Sequence, residues 1–195
     1  MANSNNKKNN TPKNVGIIMD GNGRWAIKNS FKISQGHKRG VDVVRSIVEE
    51  SVKQNIKSLT LYAFSSENWK RPKAEIDAIK KLVVNAINDQ VPELKEQKVL
   101  LKFFGNLDDF GKKILDKISY AEDSTMSDSA KLHLNVALGY GGQQDIVDVV
   151  KNISSKVLSK EINIKNINER TINKASSVPV DEIDLLIRTG GETKE

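Results

Sequence analysis

The 195-residue chain contains no cysteine, so disulfides and thiolate metal sites are excluded and a reducing compartment is compatible. No apolar run approaches the roughly 20 residues that a bilayer-spanning helix needs. Residues 1–14 are rich in Asn and Lys and carry no apolar stretch, so they are expected to be a disordered polar tail, not a signal peptide. Aromatic residues make up only 5% of the chain and are not interleaved with the basic ones. A nucleic-acid partner is therefore not expected, despite a formal net charge of +6. The lysines are scattered among acids, as on a solvated surface. A small phosphorylated substrate or an anionic membrane surface would suit the same charge. There is no repeat and no linker, so residues 15–195 are expected to form one domain. The cytoplasm is the expected location.

What is present is an alternation of short and long apolar patterns. Val15–Met19, Leu59–Phe64, Val99–Phe104, the alternating Leu132, Leu134, Val136 and Leu138, and Leu185–Ile187 read as five strands. Helical faces lie between them. Val41, Val44, Ile47, Val48 and Val52 share one, beginning at Gly36, and Ile76, Ile79, Leu82, Val83, Ala86 and Ile87 share another after Pro72. Phe110 to Ala121 is a third, and Ile146, Val149, Val150 and Ile153 form a fourth. A polar, Asn-rich stretch with weak helix signals follows. Strands alternating with helices imply an α/β domain with a central, mostly parallel sheet flanked by helices.

Ligands of such sheets sit beyond the carboxyl ends of the strands. Strand one is followed by Asp20, Gly21, Asn22, Gly23, Arg24 and Trp25, and strand two by Ser65, Ser66, Glu67, Asn68, Trp69, Lys70 and Arg71. Strand four is followed by Gly139-Tyr140-Gly141-Gly142, and strand five by Arg188-Thr189-Gly190-Gly191-Glu192. If the strands are parallel, one rim gathers glycines, arginines, amides and carboxylates, a set suited to a polyanion. Gly21-x-Gly23-x-x-Ala26 fits the loose dinucleotide fingerprint, and a plain turn explains it equally well. Asp20 would repel a dinucleotide's phosphates, and Asp42 falls inside a helix, where it cannot reach a ribose. Asp20 with Mg²⁺ on a diphosphate is the more coherent chemistry. Arg24, Arg71 and Arg188 suit phosphate oxygens, His37 is either a helix-start residue or a phosphate donor, and Trp25 and Trp69 are candidates for an apolar wall.

These runs closely resemble the cis-prenyltransferase signatures. Gly16-Ile17-Ile18-Met19-Asp20-Gly21-Asn22-Gly23-Arg24-Trp25-Ala26 resembles the first motif, Gly36-His37-Lys38-x-Gly40 the second, and Leu61 through Pro72 the third. Asn135-x-Ala137-x-x-Tyr140-Gly141-Gly142 and Asp184 through Glu192 are similar to two later ones, in family order. The resemblance implies the cis-prenyltransferase fold, with a six-stranded sheet and usually a homodimer. It implies condensation of isopentenyl diphosphate with an allylic diphosphate, normally farnesyl diphosphate, giving a long-chain product such as undecaprenyl diphosphate, the carrier-lipid precursor for cell-wall synthesis. By the same resemblance the allylic diphosphate rests on Gly21, Asn22, Gly23, Arg24 and His37. Asp20 holds Mg²⁺ and assists departure of the diphosphate, and Arg188 grips isopentenyl diphosphate. Asn68 stands where the group assisting proton removal belongs, in a pocket shaped by Ser65, Ser66, Glu67, Trp69 and Arg71. An amide is a poor base, so Asn68 reads as a positioner. The growing chain is expected in an apolar tunnel walled in part by the Ile76–Ile87 helix.

Three departures stand out. Asn14 replaces the family's usual His. Ile33 replaces an Arg, whose phosphate contact Lys32 is placed to supply. After Gly190-Gly191-Glu192 only Thr193, Lys194 and Glu195 follow, with Lys194 at the position of a family Arg. The last strand is expected to be missing and the free chain to be weakly active. The alternative is a truncated or silent relative serving as a binding subunit.

Overall fold

The computed structural model describes residues 11–180 and 182–191. Five parallel strands form one sheet in the order β3-β4-β2-β1-β5: β1 (Asn14–Ile18), β2 (Ser58–Ser65), β3 (Val99–Phe104), β4 (Leu132–Tyr140) and β5 (Leu185–Arg188). The sixth strand implied by the family resemblance is not among the described residues. The connections run through α1 (Asn22–Lys28), α2 (Ile33–Lys53), α3 (Lys73–Glu96), α4 (Lys112–Thr125), α5 (Gly142–Leu158) and α6 (Glu169–Ala175). With every strand parallel, the carboxyl ends of β1, β2, β4 and β5 point to one rim.

The core joins Leu59, Leu61, Val99, Leu101, Leu132 and Leu134 of the strands to Val48 of α2, Ile79, Ile87 and Val91 of α3, and Ile114 and Ile118 of α4. The central strands β2 and β4 are buried along most of their length, small polar residues included. Asn135 sits buried in β4 and donates to Ser58 Oγ at 2.9 Å and Thr60 Oγ1 at 3.4 Å, so its polarity is satisfied across the ladder. The outer edge of β3 is capped by α4. Leu101 N–H donates to Thr125 Oγ1 at 3.1 Å and Phe103 N–H to Glu122 Oε1 at 2.7 Å, which blunts an edge that could recruit another strand.

Several elements differ from expectation. The glycine segment after β1 is a helix start as well as a turn, because α1 begins at Asn22 directly after the positive-φ Gly21. Helix α2 begins at Ile33, ahead of the expected Gly36, since Gln35 Oε1 accepts the Lys32 N–H and caps it there. The α5 face is only half buried: Val149 and Ile153 are covered, whereas Ile146 is 64% and Val150 57% exposed. Strand β1 opens at Asn14, one residue early, because the Asp184 carboxylate accepts the N–H groups of Lys13 and Asn14, each at 2.8 Å. The weak helix signals of the Asn-rich stretch resolve as α6, capped by Asn168 Oδ1 on the Thr171 N–H at 3.1 Å.

Candidate active site

Sheet register brings the first pair of site residues together. Ile18 of β1 lies opposite Arg188 of β5, so the turn carrying Asp20 and the end of β5 leave the sheet at the same level. Arg188 Nη2 donates to Asp20 Oδ2 at 2.8 Å, Arg24 Nη2 lies 3.3 Å from Asp20 Oδ1, and the Gly21 N–H donates to Asp20 Oδ1 at 2.7 Å. The Arg188 hydrogen bond, above all, holds the Asp20 carboxyl below its ordinary value. Burial opposes the shift, and the Gly21 amide and Arg24 add to it. Thr189 fastens the turn, with its N–H on the Ile18 carbonyl at 3.1 Å and its Oγ1 on the Asp20 carbonyl at 2.7 Å.

Helix α1 sits tightly on α2. A Cβ at Gly36 would collide with the Asn22 carbonyl oxygen and lie 2.9 Å from Ala26 Cβ, so only glycine permits this approach. The contact sets Asn22, Gly23 and Arg24 beside His37, one residue after Gly36. His37 Nε2 lies 3.4 Å from Glu75 Oε1 of α3, and Arg71 Nη1 donates to the same oxygen at 2.7 Å. Glu75 thus joins the second and third motif segments. Asn68 Oδ1 accepts the Ser65 N–H at 3.1 Å, which leaves its amide N–H₂ as the group it can offer a ligand.

These residues stand at the mouth of a cavity of about 830 Å³. Asp20, Gly21, Asn22, Gly23, Arg24, His37, Ser65, Glu67, Asn68, Arg71 and Arg188 all line it. Below the mouth the walls are apolar, with Val41, Val44 and Val48 from α2 and Ile79, Leu82, Val83, Ala86 and Ile87 from α3 facing Leu61, Leu134 and Leu138 of the sheet. Four expected site residues are not on this lining. Trp25 stacks on Phe31 with ring centroids 5.7 Å apart, Lys32 is exposed at the start of α2, and Ser66 presses its Oγ toward Gly141. Trp69 packs edge-on to Phe64 and Phe110, both at 4.9 Å, with its Nε1–H buried and unpartnered among the described residues. Lys194 lies outside the described residues.

Glu75, Thr189 and the pair Tyr62 and Tyr140, 5.9 Å apart at the cavity wall, were given no site role from sequence. Glu75 had one available signal, its position four residues after Arg71 at the start of a helix. Burial pushes both phenols up, so they are neutral donors.

A rim of paired arginines and carboxylates opening into an apolar cavity is the equipment of an enzyme acting on an amphiphile with a phosphorylated head. Comparison with known proteins agrees. The family model described as "Putative undecaprenyl diphosphate synthase" matches residues 18–194. The ditrans,polycis-undecaprenyl-diphosphate synthase ((2E,6E)-farnesyl-diphosphate specific) of Buchnera aphidicola is 42% identical over 97% of this chain and 76% of its own length. An isoprenyl transferase of Clostridium tetani is 40% identical over 95% of this chain and 72% of its own length. Among solved structures, lavandulyl diphosphate synthase from Lavandula x intermedia, in complex with dimethylallyl diphosphate, superposes with a TM-score of 0.90 at 30% identity, covering 94% of this chain and 80% of that one. A probable undecaprenyl diphosphate synthase from Campylobacter jejuni gives 0.73 at 29% identity, covering 94% and 77%. The chain belongs to the undecaprenyl-diphosphate-synthase family of prenyltransferases.

Proposed function

We propose that this chain condenses isopentenyl diphosphate with an allylic diphosphate, farnesyl diphosphate first among them, to make a long-chain polyprenyl diphosphate such as undecaprenyl diphosphate. The observation that supports this most is the junction of two chemistries in one cavity, with Asp20, Arg24, Arg71 and Arg188 at its mouth and an aliphatic barrel below. The diphosphate heads belong at the mouth and the hydrocarbon in the barrel.

The allylic diphosphate binds the Gly21–Arg24 turn and His37. Arg24 and Arg71, held in readiness by Asp20 and Glu75, exchange those carboxylates for phosphate oxygens. Arg188 takes the diphosphate of isopentenyl diphosphate in the same way. The allylic C1–O bond breaks and its electron pair leaves with the diphosphate. The terminal double bond of isopentenyl diphosphate then attacks C1, and a proton passes from its C2 to a phosphate oxygen of the bound diphosphates, setting the new cis double bond. The amide of Asn68 orients the diphosphate and its neighbouring carbon and is not the base. Lys32, Ser66, Trp25 and Trp69 support the pocket from outside its lining.

Asp20 is the residue that would hold Mg²⁺. A single ionised carboxylate facing a diphosphate fits the habits of this ion, which binds through one or two carboxylates and substrate phosphates and keeps several waters. Bound there, Mg²⁺ would supply positive charge to the departing diphosphate.

Retention of Asp20, Arg24 and Asn68 disfavours the reading as a silent binding subunit. We place the enzyme in the cytoplasm as a homodimer, with peripheral contact at the inner membrane face where its product is used. Among the described residues no helix is long and apolar enough to cross a membrane. The exposed Ile146 and Val150 of α5 support a partner surface. The test is incorporation of labelled isopentenyl diphosphate into butanol-extractable product with farnesyl diphosphate and Mg²⁺, beside Asp20→Ala. Long-chain label that vanishes in the variant supports the reading. A folded chain that makes no product overturns it.

A further inference from the structure

The cavity has charge at both ends. At the end remote from Asp20, Arg45 of α2 forks onto Glu93 of α3, with Nε 3.1 Å from Oε1 and Nη2 2.7 Å from Oε2. Gln97 Nε2 donates to Glu93 Oε1 at 3.2 Å, and Glu49 Oε1 lies 3.5 Å from Arg45 Nε. All four line the same cavity as the diphosphate-binding rim. Arg45 stands about two helical turns beyond His37, ~12 Å along α2, and Glu93 stands five turns beyond Glu75, ~27 Å along α3. The wall between these two polar stations is aliphatic, with Val41, Val44, Ile79, Val83, Ile87 and Val91 facing inward.

This placement has a physical consequence for a hydrocarbon growing down the barrel. Each carbon that slides along the aliphatic wall leaves water and gains contacts. A tip that reaches Arg45 and Glu93 gains nothing further, since it would have to lie against ionised groups and strip their water. The fork also straps α2 to α3, the two helices whose faces wall the barrel, and so limits how far they can part. The pair is not there for stability: the Arg45 side chain is 53% exposed, and exposed pairs contribute little to folding. We propose that the Arg45–Glu93 pair is a polar stop at the far end of the barrel that sets how much prenyl chain the enzyme accommodates. The proposal rests on the prenyl-transfer reading of the cavity.

The test is calorimetric titration of the full chain with prenyl diphosphates of rising length, from dimethylallyl through farnesyl and geranylgeranyl to longer cis-polyprenyl diphosphates. It is run on the unmodified protein and on the Glu93→Leu and Arg45→Met variants, with circular dichroism to confirm folding. For the unmodified protein, affinity is expected to climb by about tenfold or more per added prenyl unit and then to level off within about threefold. In both variants the levelling-off should move to a chain longer by at least one unit, with affinity for dimethylallyl diphosphate unchanged. If all three proteins level off at the same length, the stop lies elsewhere and this proposal fails alone. If the unmodified protein binds none of the series, the prenyl-transfer reading fails and this proposal falls with it.

Discussion

Arg188 donates to the carboxylate of Asp20 at 2.8 Å although 168 residues separate them in the chain. The parallel pairing of β1 with β5 makes the contact, and it couples the anion that would hold the metal to the cation that would hold a substrate diphosphate. Replacing Arg188 with Ala should therefore act twice. Affinity for isopentenyl diphosphate should fall by roughly 10- to 100-fold, the value of one charged hydrogen bond. The Asp20 carboxyl should also move up toward its ordinary value, since the Arg188 hydrogen bond is the largest cause of its depression. Steady-state kinetics and an NMR titration of the Asp20 side chain read the two effects. Lost affinity with an unmoved Asp20 would break the link between them.

A second carboxylate carries an acid sensitivity of the fold. Asp184 accepts the N–H groups of Asn14 and Lys13, and these bonds hold its carboxyl below the ordinary value of 3.8. A depressed folded value means that this stabilisation is complete above the unfolded value and is lost as the pH falls through the lower folded one. Urea midpoints measured downward from pH 6 should hold steady until about pH 4 and then drop. In Asp184→Asn the part of that drop due to this group should be absent and the midpoint at pH 6 should be lower. An unchanged acid limb in the variant would show that Asp184 is not one of the groups responsible.

Only half of the role of Glu75 could be read from sequence, its i,i+4 spacing from Arg71, because the other half depends on α2 and α3 meeting. Its carboxylate touches both His37 and Arg71, yet only Arg71 is near it in the chain. If Glu75 works by positioning Arg71, removing either residue should do much the same damage. Glu75→Ala and Arg71→Ala should each lower kcat/KM by about 10- to 100-fold, and the double variant should be scarcely worse than either single one. Fully additive losses would mean that Glu75 and Arg71 act independently.

The parts of the molecule that could be read in advance are those where local pattern and tertiary role coincide. Val99–Phe104 is an apolar run broken only by the exposed Lys102 and is strand β3 as expected, and Asp20 after β1 and Arg188 at the end of β5 meet on one rim because the strands share a direction. Helix α1 was not legible as a helix. Gly23 and the short length disfavour one locally, and it forms where Gly36 lets it rest against α2. Ile146 and Val150 carry the spacing of a buried face and are exposed, because periodicity reports that a face is apolar and not what covers it. Trp69 sits among polar motif residues in the chain, yet its ring turns inward to Phe64 and Phe110. Sequence adjacency to Asn68 and Arg71 could not indicate that direction.

The α1–α2 contact gives a prediction that separates packing from chemistry. Gly36 bears no ligand-binding side chain, but a methyl group there would strike the Asn22 carbonyl oxygen and crowd Ala26. Relief requires α1 to move off α2, carrying the Gly21–Arg24 turn with it. Gly36→Ala should cost about 1–3 kcal/mol of stability, the usual penalty for overpacking. It should also weaken farnesyl diphosphate binding, because the displaced turn carries Asn22, Gly23 and Arg24. Denaturant unfolding and calorimetric titration measure the two quantities. Lys38→Ala, on the exposed side of the same helix, should disturb neither. Normal binding in a destabilised Gly36→Ala chain would show that α1 can shift without moving the diphosphate turn, and the coupling argued from this contact would be wrong.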